Sequence, residues 1–313
     1  MKILFVVHRY APYPGGSEYY TANMAEEMLK RGHEVFVLAP TNQGDYNGVK
    51  VLDDFYSLGE KWDLIIVHGG DVQAQNIVHL NADRIKSPVL YLIVKPSDSQ
   101  MCVHGLKHHR FLGYSTSMDI DHLRKHNVLE RGRRIRHGIV PDLHLRERNK
   151  KKTIFVSAGG FWPHKAMGPL AQAFTQSNIP NAELHLYGYG EEHLMPIETD
   201  NVKCFFGKEK TDVLLAVSAA DAYIMNSYEE GFGLVLLEAM MNKTPWYARD
   251  IAGAKDMCYY GTTYKDEKEL MELLRNHKID EEKIDNAYNY VMANHTIQDT
   301  VNDIEDVLLE TLK

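Results

Sequence analysis

Short apolar runs set between amphipathic stretches restrict this chain's fold more tightly than any other feature. Residues 64–67 (LIIV) and 89–94 (VLYLIV) are unbroken runs, the pattern of strands covered on both faces in a parallel sheet. Further strands are read at residues 3–7, 34–39, 153–157, 184–187, 202–206, 221–225 and 245–248, with helical segments between most of them. Around residues 146–152 the chain is polar, charged and without apolar periodicity, as an interdomain linker would be. The expectation is an α/β protein of two doubly wound Rossmann-like domains facing each other across a cleft. Residues 1–148 form the first, 149–295 the second, and 296–313 a C-terminal helix packing back toward the first.

One of these strands leads into an unusual turn. After residues 221–225 the chain runs Asn226-Ser227-Tyr228-Glu229-Glu230-Gly231-Phe232-Gly233 and then enters strong helix formers at 234–241. A strand, a glycine turn and a helix start aim backbone N–H groups and the positive helix end at one spot, which suits a phosphate. Glu230 precedes the turn and Glu238 lies one to two helical turns beyond it. Carboxylates repel phosphate, so their presence points to a ligand with hydroxyls beside its phosphates, as a nucleotide sugar has. The bland alternative is two solvated glutamates beside an ordinary turn; Gly-Phe-Gly between them favours the functional reading.

Gly15-Gly16 makes a similar arrangement in the first half, between the strand at 3–7 and a helix carrying Ala22, Ala25, Met28 and Leu29. A tight turn with no ligand explains a lone Gly-Gly equally well. His68 and Lys95 sit just past two strands, at the sheet edge where open α/β folds bind ligands. His68 is therefore a candidate for the acceptor, beside the alternative of a loop histidine with no role. Asp119-Ile120-Asp121 has a metal-binding D-x-D spacing, but it precedes a helical stretch that Ser117 or Asp119 would cap. It reads as a helix start, and no metal is expected.

Composition narrows the class. Hydrophobic residues at 44% and charged residues at 25% suit a globular protein, and no run of 18 apolar residues exists to span a membrane. Cys102, Cys204 and Cys258 are far apart and lack metal-ligand spacing, which suggests reduced thiols and a cytoplasmic location. The net charge of −8 conceals a basic segment: residues 104–152 hold 13 Lys or Arg against 5 Asp or Glu, with 7 of the 16 His. Such a segment meets an anionic partner or is an exposed linker with solvated charges.

The chain resembles the GT-B fold retaining glycosyltransferases of glycosyltransferase family 4. The likeness runs nearly its whole length, through Tyr10-Ala11-Pro12-Tyr13-Pro14-Gly15-Gly16-Ser17-Glu18, Arg31-Gly32-His33-Glu34-Val35, Asp63-Leu64-Ile65-Ile66-Val67-His68, residues 159–174, and Glu230 to Met240. The last matches the family's E-x7-E motif almost letter for letter. The resemblance implies transfer of a hexosyl or pentosyl group from a nucleotide-diphosphate sugar to a hydroxyl acceptor, without a metal or other cofactor. The first domain would take the acceptor and the second the donor. Glu230 would contact donor sugar hydroxyls and Glu238 the ribose. The amides of Gly231, Phe232, Gly233, Leu234 and Val235, with those of Gly15 and Gly16, would face the diphosphate. Lys165 would neutralise the leaving group, the main catalytic task if the departing phosphate takes the acceptor proton.

Two departures from the family stand out. Gly160 replaces its usual arginine, removing one of two cations on the diphosphate, with His164, Arg249 and the basic segment as candidate substitutes. Lys95 stands near the usual acceptor histidine, which makes His68 the better candidate. Competing readings are a weakly or non-catalytic nucleotide-sugar-binding GT-B protein, suggested by Gly160, and a sugar-nucleotide epimerase on the same fold. The acceptor stays open; an anionic one met by the 104–152 segment would be a modified nucleic acid base or a glycolipid on an anionic surface.

Overall fold

The computed structural model describes residues 1–13, 15–41, 44–144, 147–148 and 151–313; Pro14 of the glycine loop and Arg146, Asn149 and Lys150 of the expected linker lie outside them. The chain divides into two compact units, Met1–Val140 with His295–Lys313, and Pro141–Asn294.

The first unit contains β1 (Lys2–Val6), α1 (Gly16–Lys30), β2 (Glu34–Leu38), β3 (Lys50–Leu52), β4 (Leu64–His68), α2 (Val72–Leu80), β5 (Val89–Leu92), α3 (Gln100–His108), β6 (Phe111–Tyr114), α4 (Ser117–Lys125) and β7 (Gly132–Arg134). Among the described residues its strands form one parallel sheet in the order β3-β2-β1-β4-β5-β6-β7. The order reverses between β1 and β4, so the C-terminal ends of those strands frame the crevice where such sheets bind ligands. β1, β4 and β5 are buried almost throughout, and Leu4, Val6, Ile65, Val67, Tyr91, Leu106 and Leu123 form a common core. Burying each such side chain stabilises the unit by about 1.5–3 kcal/mol against exposure.

The second unit contains β8 (Thr153–Gly160), α5 (Met167–Ser177), β9 (Ala182–Tyr189), β10 (Val202–Phe206), α6 (Lys210–Ser218), β11 (Ala222–Met225), α7 (Leu234–Met241), β12 (Trp246–Arg249), α8 (Ala252–Asp256), β13 (Thr262–Tyr264), α9 (Glu267–Arg275) and α10 (Glu281–Asn294). Its described strands are again parallel, in the order β10-β9-β8-β11-β12-β13, with the reversal between β8 and β11. Phe155, Phe174, Leu184, Leu186, Ile224 and Leu270 fill the core. Pro169 falls in the first turn of α5, where a missing N–H is harmless.

The last helix, α11 (Ile297–Glu310), belongs to the first unit and packs on α1. Gly138 lets the chain approach it: a Cβ there would lie 2.0 Å from Thr296 O. The Ile139 and Ile297 amides donate to the His295 and Ile139 carbonyls at 2.9 and 2.8 Å. Here part of the basic segment of residues 104–152 is engaged within the unit. Arg133 donates to both Glu310 oxygens, and Arg136 reaches Asp303 (2.6 Å) and Asp299 (3.2 Å), all on α11. Arg131 donates to the carbonyls of Leu106, Lys107 and His109. Much of the positive charge is thus matched inside the unit.

The D-x-D stretch also resolves. Thr116, one residue before the expected caps, is the N-cap of α4; its Oγ1 accepts from the Asp119 amide at 3.2 Å, while Asp119 Oδ2 accepts from the Ser115 and Thr116 amides. Asp119 is buried, whereas Asp121 is exposed and pairs with Arg124 at 3.1 Å. The three cysteines are free thiols. Among the described residues, no helix is long and apolar enough to cross a membrane.

Candidate active site

In the second unit the sheet reversal brings two loops together, one after β8 and one after β11. The first carries Gly159, Gly160, Trp162, His164 and Lys165; the second carries Asn226 to Gly233. Two hydrogen bonds join them: the Tyr228 amide donates to the His164 carbonyl at 2.8 Å, and Asn226 Nδ2 donates to the Ala166 carbonyl at 3.1 Å. Asn226 is fully buried, and its Oδ1 accepts from Tyr264 Oη at 2.7 Å. Ala166 itself takes a left-handed conformation (φ 51°), which turns the chain out of the Lys165 loop into α5.

The join places Lys165 against Glu230. Lys165 Nζ donates to Glu230 Oε1 at 2.5 Å, and Ser227 Oγ donates to the same oxygen at 2.8 Å. Both charged side chains are partly buried, 23% and 14% exposed, so their fields are less screened than those of a surface pair. Beyond them the chain passes Gly231 and Phe232 to Gly233, the N-cap of α7, at φ 90° and ψ 56°. That conformation strongly favours glycine. No side chain caps α7. Gly253 of α8 packs close beneath; a Cβ there would lie 2.3 Å from Phe232 O, so the turn rests on a helix with no side chain to spread it. Leu234 and Val235 open α7, and Glu238, one turn further on, receives Lys210 Nζ from α6 at 2.8 Å.

Gly160 has a steric reason. A Cβ on it would lie 2.2 Å from Trp162 Nε1 and 2.3 Å from Trp162 Cδ1. The far edge of the same indole lies against Gly190, where a Cβ would be 2.9 Å from Cζ2. Trp162 therefore occupies the space in which a side chain at position 160 would begin. Arg249, one candidate to replace the missing cation, is committed elsewhere: it donates to Glu267 (2.5 Å), Asn226 Oδ1 (3.1 Å) and the Lys265 carbonyl (3.0 Å), and lies over the Tyr228 ring. His164 is exposed.

The first unit holds the other expected residues. Gly15 is the N-cap of α1, and Gly16 its first residue. The Glu18 carboxylate lies against this turn: a Cβ on Gly15 would be 2.0 Å from Glu18 Oε2, which also accepts from Ser17 Oγ at 2.7 Å. Burial raises the Glu18 pKa above the ordinary carboxylate range. A phosphate at this turn would have to share it with that carboxylate. His68 ends β4 and is 5% exposed, and Nδ1 has no hydrogen-bond partner outside its own residue. Burial lowers its pKa, which keeps the imidazole neutral. His137 is also buried, with Nδ1 at 2.9 Å from Tyr20 Oη, and burial above all holds it down to about 3. Lys95, past the end of β5, is exposed.

Sequence reasoning assigned no role to Ser227, Asn226, Lys210, Trp162, Glu18 or His137. Lys210 and His137 act through distant partners in the chain, Glu238 and Tyr20, and nothing in local spacing announces them.

No protein among curated sequences matches the chain. Residues 145–290 match the family model described as Glycosyl transferases group 1. Three solved structures are similar over nearly the full length. HepE of Anabaena, solved with UDP-glucose, is 16% identical at a TM-score of 0.80, covering 99% of this chain and 100% of its own. A sucrose-phosphate synthase of Thermosynechococcus elongatus is 16% identical at a TM-score of 0.81, with 99% and 98% covered. A glycosyltransferase of Rickettsia africae is 14% identical at a TM-score of 0.78, with 99% and 98% covered. The chain therefore has the GT-B fold, and its second unit carries the match to the group 1 glycosyl transferases.

Proposed function

We propose that the chain is a retaining glycosyltransferase of family 4 that moves a sugar from a nucleotide-diphosphate sugar to a hydroxyl acceptor, with no metal in the reaction. The observation that carries this reading is the Lys165–Glu230 pair, set by two hydrogen-bonded loops at the sheet reversal of the unit that matches group 1 glycosyl transferases. Breaking the sugar–phosphate bond leaves charge on the diphosphate. Lys165 supplies a fixed positive charge for it, and the start of α7 supplies N–H groups and the positive end of a helix dipole. Glu230 accepts hydrogen bonds from sugar hydroxyls, and Glu238 from the ribose. Gly15 and Gly16 add amides on the diphosphate. His68, neutral and with an unpartnered ring nitrogen, serves the acceptor hydroxyl, with Lys95 just past the neighbouring strand β5. In the front-face course the acceptor oxygen bonds to the anomeric carbon on the face the diphosphate leaves, and the departing phosphate oxygen takes its proton, so no side chain needs to act as nucleophile or as base.

UDP-sugars are the first donors to try, because a similar structure holds UDP-glucose. The test is nucleotide release from UDP-, GDP- and ADP-sugars, with and without acceptor alcohols. Lys165→Ala should lower turnover about 10–150-fold, the worth of a charge-assisted contact of roughly 1.5–3 kcal/mol. Glu230→Gln, which takes the charge partner from Lys165, should lower it as well. Unchanged turnover in both variants would sink the assignment.

The seating of Trp162 over Gly160 favours a second reading, a protein that binds the nucleotide sugar with slow or no transfer. Raised thermal midpoints with a nucleotide sugar but no release in any acceptor mixture would select it.

A further inference from the structure

Glycosyl transfer as proposed leaves one convergent group of side chains unused. Asp98 lies between β5 and α3, while His122 and His126 stand one helical turn apart at the end of α4. We propose that Asp98, His122 and His126 form a binding site for a divalent transition metal ion of the zinc class.

The geometry is that of a metal site in outline. Asp98 Oδ1 lies 3.2 Å from His126 Nε2 and 3.8 Å from His122 Nδ1. Tetrahedral zinc with ligands at about 2.1 Å holds them roughly 3.4 Å apart; both Asp98–histidine separations are close to that, and the two ring nitrogens lie within 4.8 Å of each other. Two histidines at i and i+4 share one helix face, which is why that spacing recurs at zinc sites. Among the described residues, this is the only group of three or more His, Cys, Asp or Glu whose ligand atoms all lie within 4.8 Å of one another.

The surroundings fix the ligands. The Thr116–Asp119 capping box sets the start of α4, buried Leu123 anchors its inner face in the core, and Asn127 at φ 55° closes it. Asp98 is followed at once by Ser99, whose Oγ caps α3 by accepting from the Cys102 amide at 3.3 Å. Lys125 Nζ donates to Asp98 Oδ2 at 2.5 Å, which leaves Oδ1 as the oxygen turned to the histidines. An outer partner of this kind orients a metal-bound carboxylate. Its positive charge also repels the ion, so moderate affinity is expected.

Two imidazoles and one carboxylate select zinc, cobalt, nickel or copper over magnesium and calcium. A fourth position stays open to water, since Asp98 is 60% exposed. The bound ion would tie α4 to the connection between β5 and α3. A second histidine group provides an internal control: the rings of His79, His104 and His108 lie 3.9 and 4.0 Å apart, centroid to centroid, without converging ligand atoms.

Cobalt titration of the full chain, after chelator treatment, tests the site through the visible absorption of four-coordinate cobalt. We expect one ion per chain, displaced by zinc. Asp98→Asn and His126→Ala, with the fold checked by circular dichroism, should each weaken binding by about tenfold or more. The double variant His104→Ala/His108→Ala should bind as the parent does. Absence of saturable one-to-one binding would overturn the proposal. So would binding that persists in Asp98→Asn and His126→Ala, or that disappears only in the control. Because the readout is metal binding and not turnover, failure of the donor-site reading would leave this result interpretable.

Discussion

Replacing Gly160 with the arginine that the family resemblance implies should harm the protein before it helps. A Cβ at this position meets Trp162 Nε1 at 2.2 Å and Cδ1 at 2.3 Å, against about 3.5–4.0 Å for a relaxed contact. The indole must therefore move by more than an ångström, and its other edge already lies close to the Gly190 backbone, where a Cβ would be 2.9 Å from Cζ2. Overpacking of this kind costs about 1–3 kcal/mol. In a unit of this size each kcal/mol shifts the midpoint by roughly 2–4 °C, so Gly160→Arg should melt about 2–12 °C lower. Adding Trp162→Ser removes the obstruction. The double variant should then be less damaged than the two single changes combined, with a coupling of at least about 1 kcal/mol. If the new guanidinium reaches the diphosphate, turnover of the double variant should exceed that of Trp162→Ser by roughly 10–150-fold. Scanning calorimetry and a nucleotide-release assay read both quantities. A Gly160→Arg midpoint within about 1 °C of the parent, or no coupling with position 162, would show that the indole is free to leave and that Gly160 needs another explanation.

Acid should loosen the first unit through its buried histidines. His137 is held at about 3 and His109 at about 4, mainly by burial, against an ordinary 6.5. Between those values the unfolded chain binds protons that the folded unit refuses. Stability is therefore fully present above about pH 6.5 and declines as pH falls toward the folded values. Urea midpoints at pH 7.5 and 5 should differ in that direction, and His137→Gln should flatten the slope; equal midpoints in the parent would refute the assignment. Arg136→Ala should destabilise the same unit by about 1.5–3 kcal/mol, because it leaves Asp299 and Asp303 close together and only 18% and 14% exposed. Denaturant titration measures the loss, and a change below about 0.5 kcal/mol would mean that the pairs are effectively solvated.

Runs such as LIIV at 64–67 are legible because a strand buried on both faces admits no polar alternation. β4 appears there, extended by His68. Edge strands escape that rule. β7 is Gly-Arg-Arg and pairs on one side only, with β6, so its charges reach solvent and no apolar run marks it. β3 and β13 are three-residue edge strands and equally silent. In the candidate site the E-x7-E stretch is legible because its spacing is local and its glycines have a conformational reason. Lys210 is not: it reaches Glu238 from a different helix, 28 residues away in the chain. Trp162 was visible as a residue, but its seat between Gly160 and Gly190 depends on two turns meeting in space.

Charge shows the same limit from another side. Counted along the chain, residues 104–152 are an excess of cations and the last helix is an acidic tail. Folding sets one against the other, with Arg133 on Glu310 and Arg136 on Asp299 and Asp303, while Arg31 and His33 from the turn between α1 and β2 meet Glu305. Paired guanidiniums exert weak fields at a distance, since each cation is cancelled within a few ångströms and the remainder is screened over about 8–10 Å. A linear charge count measures attraction to an outside anion only when the charges stay unpaired in space. Here α11 takes up two arginines of that segment, Arg133 and Arg136, which the linear count would leave to an outside partner. The acceptor is better sought near His68 at the sheet reversal, where a neutral ring nitrogen lies buried and unpartnered, than along the arginines.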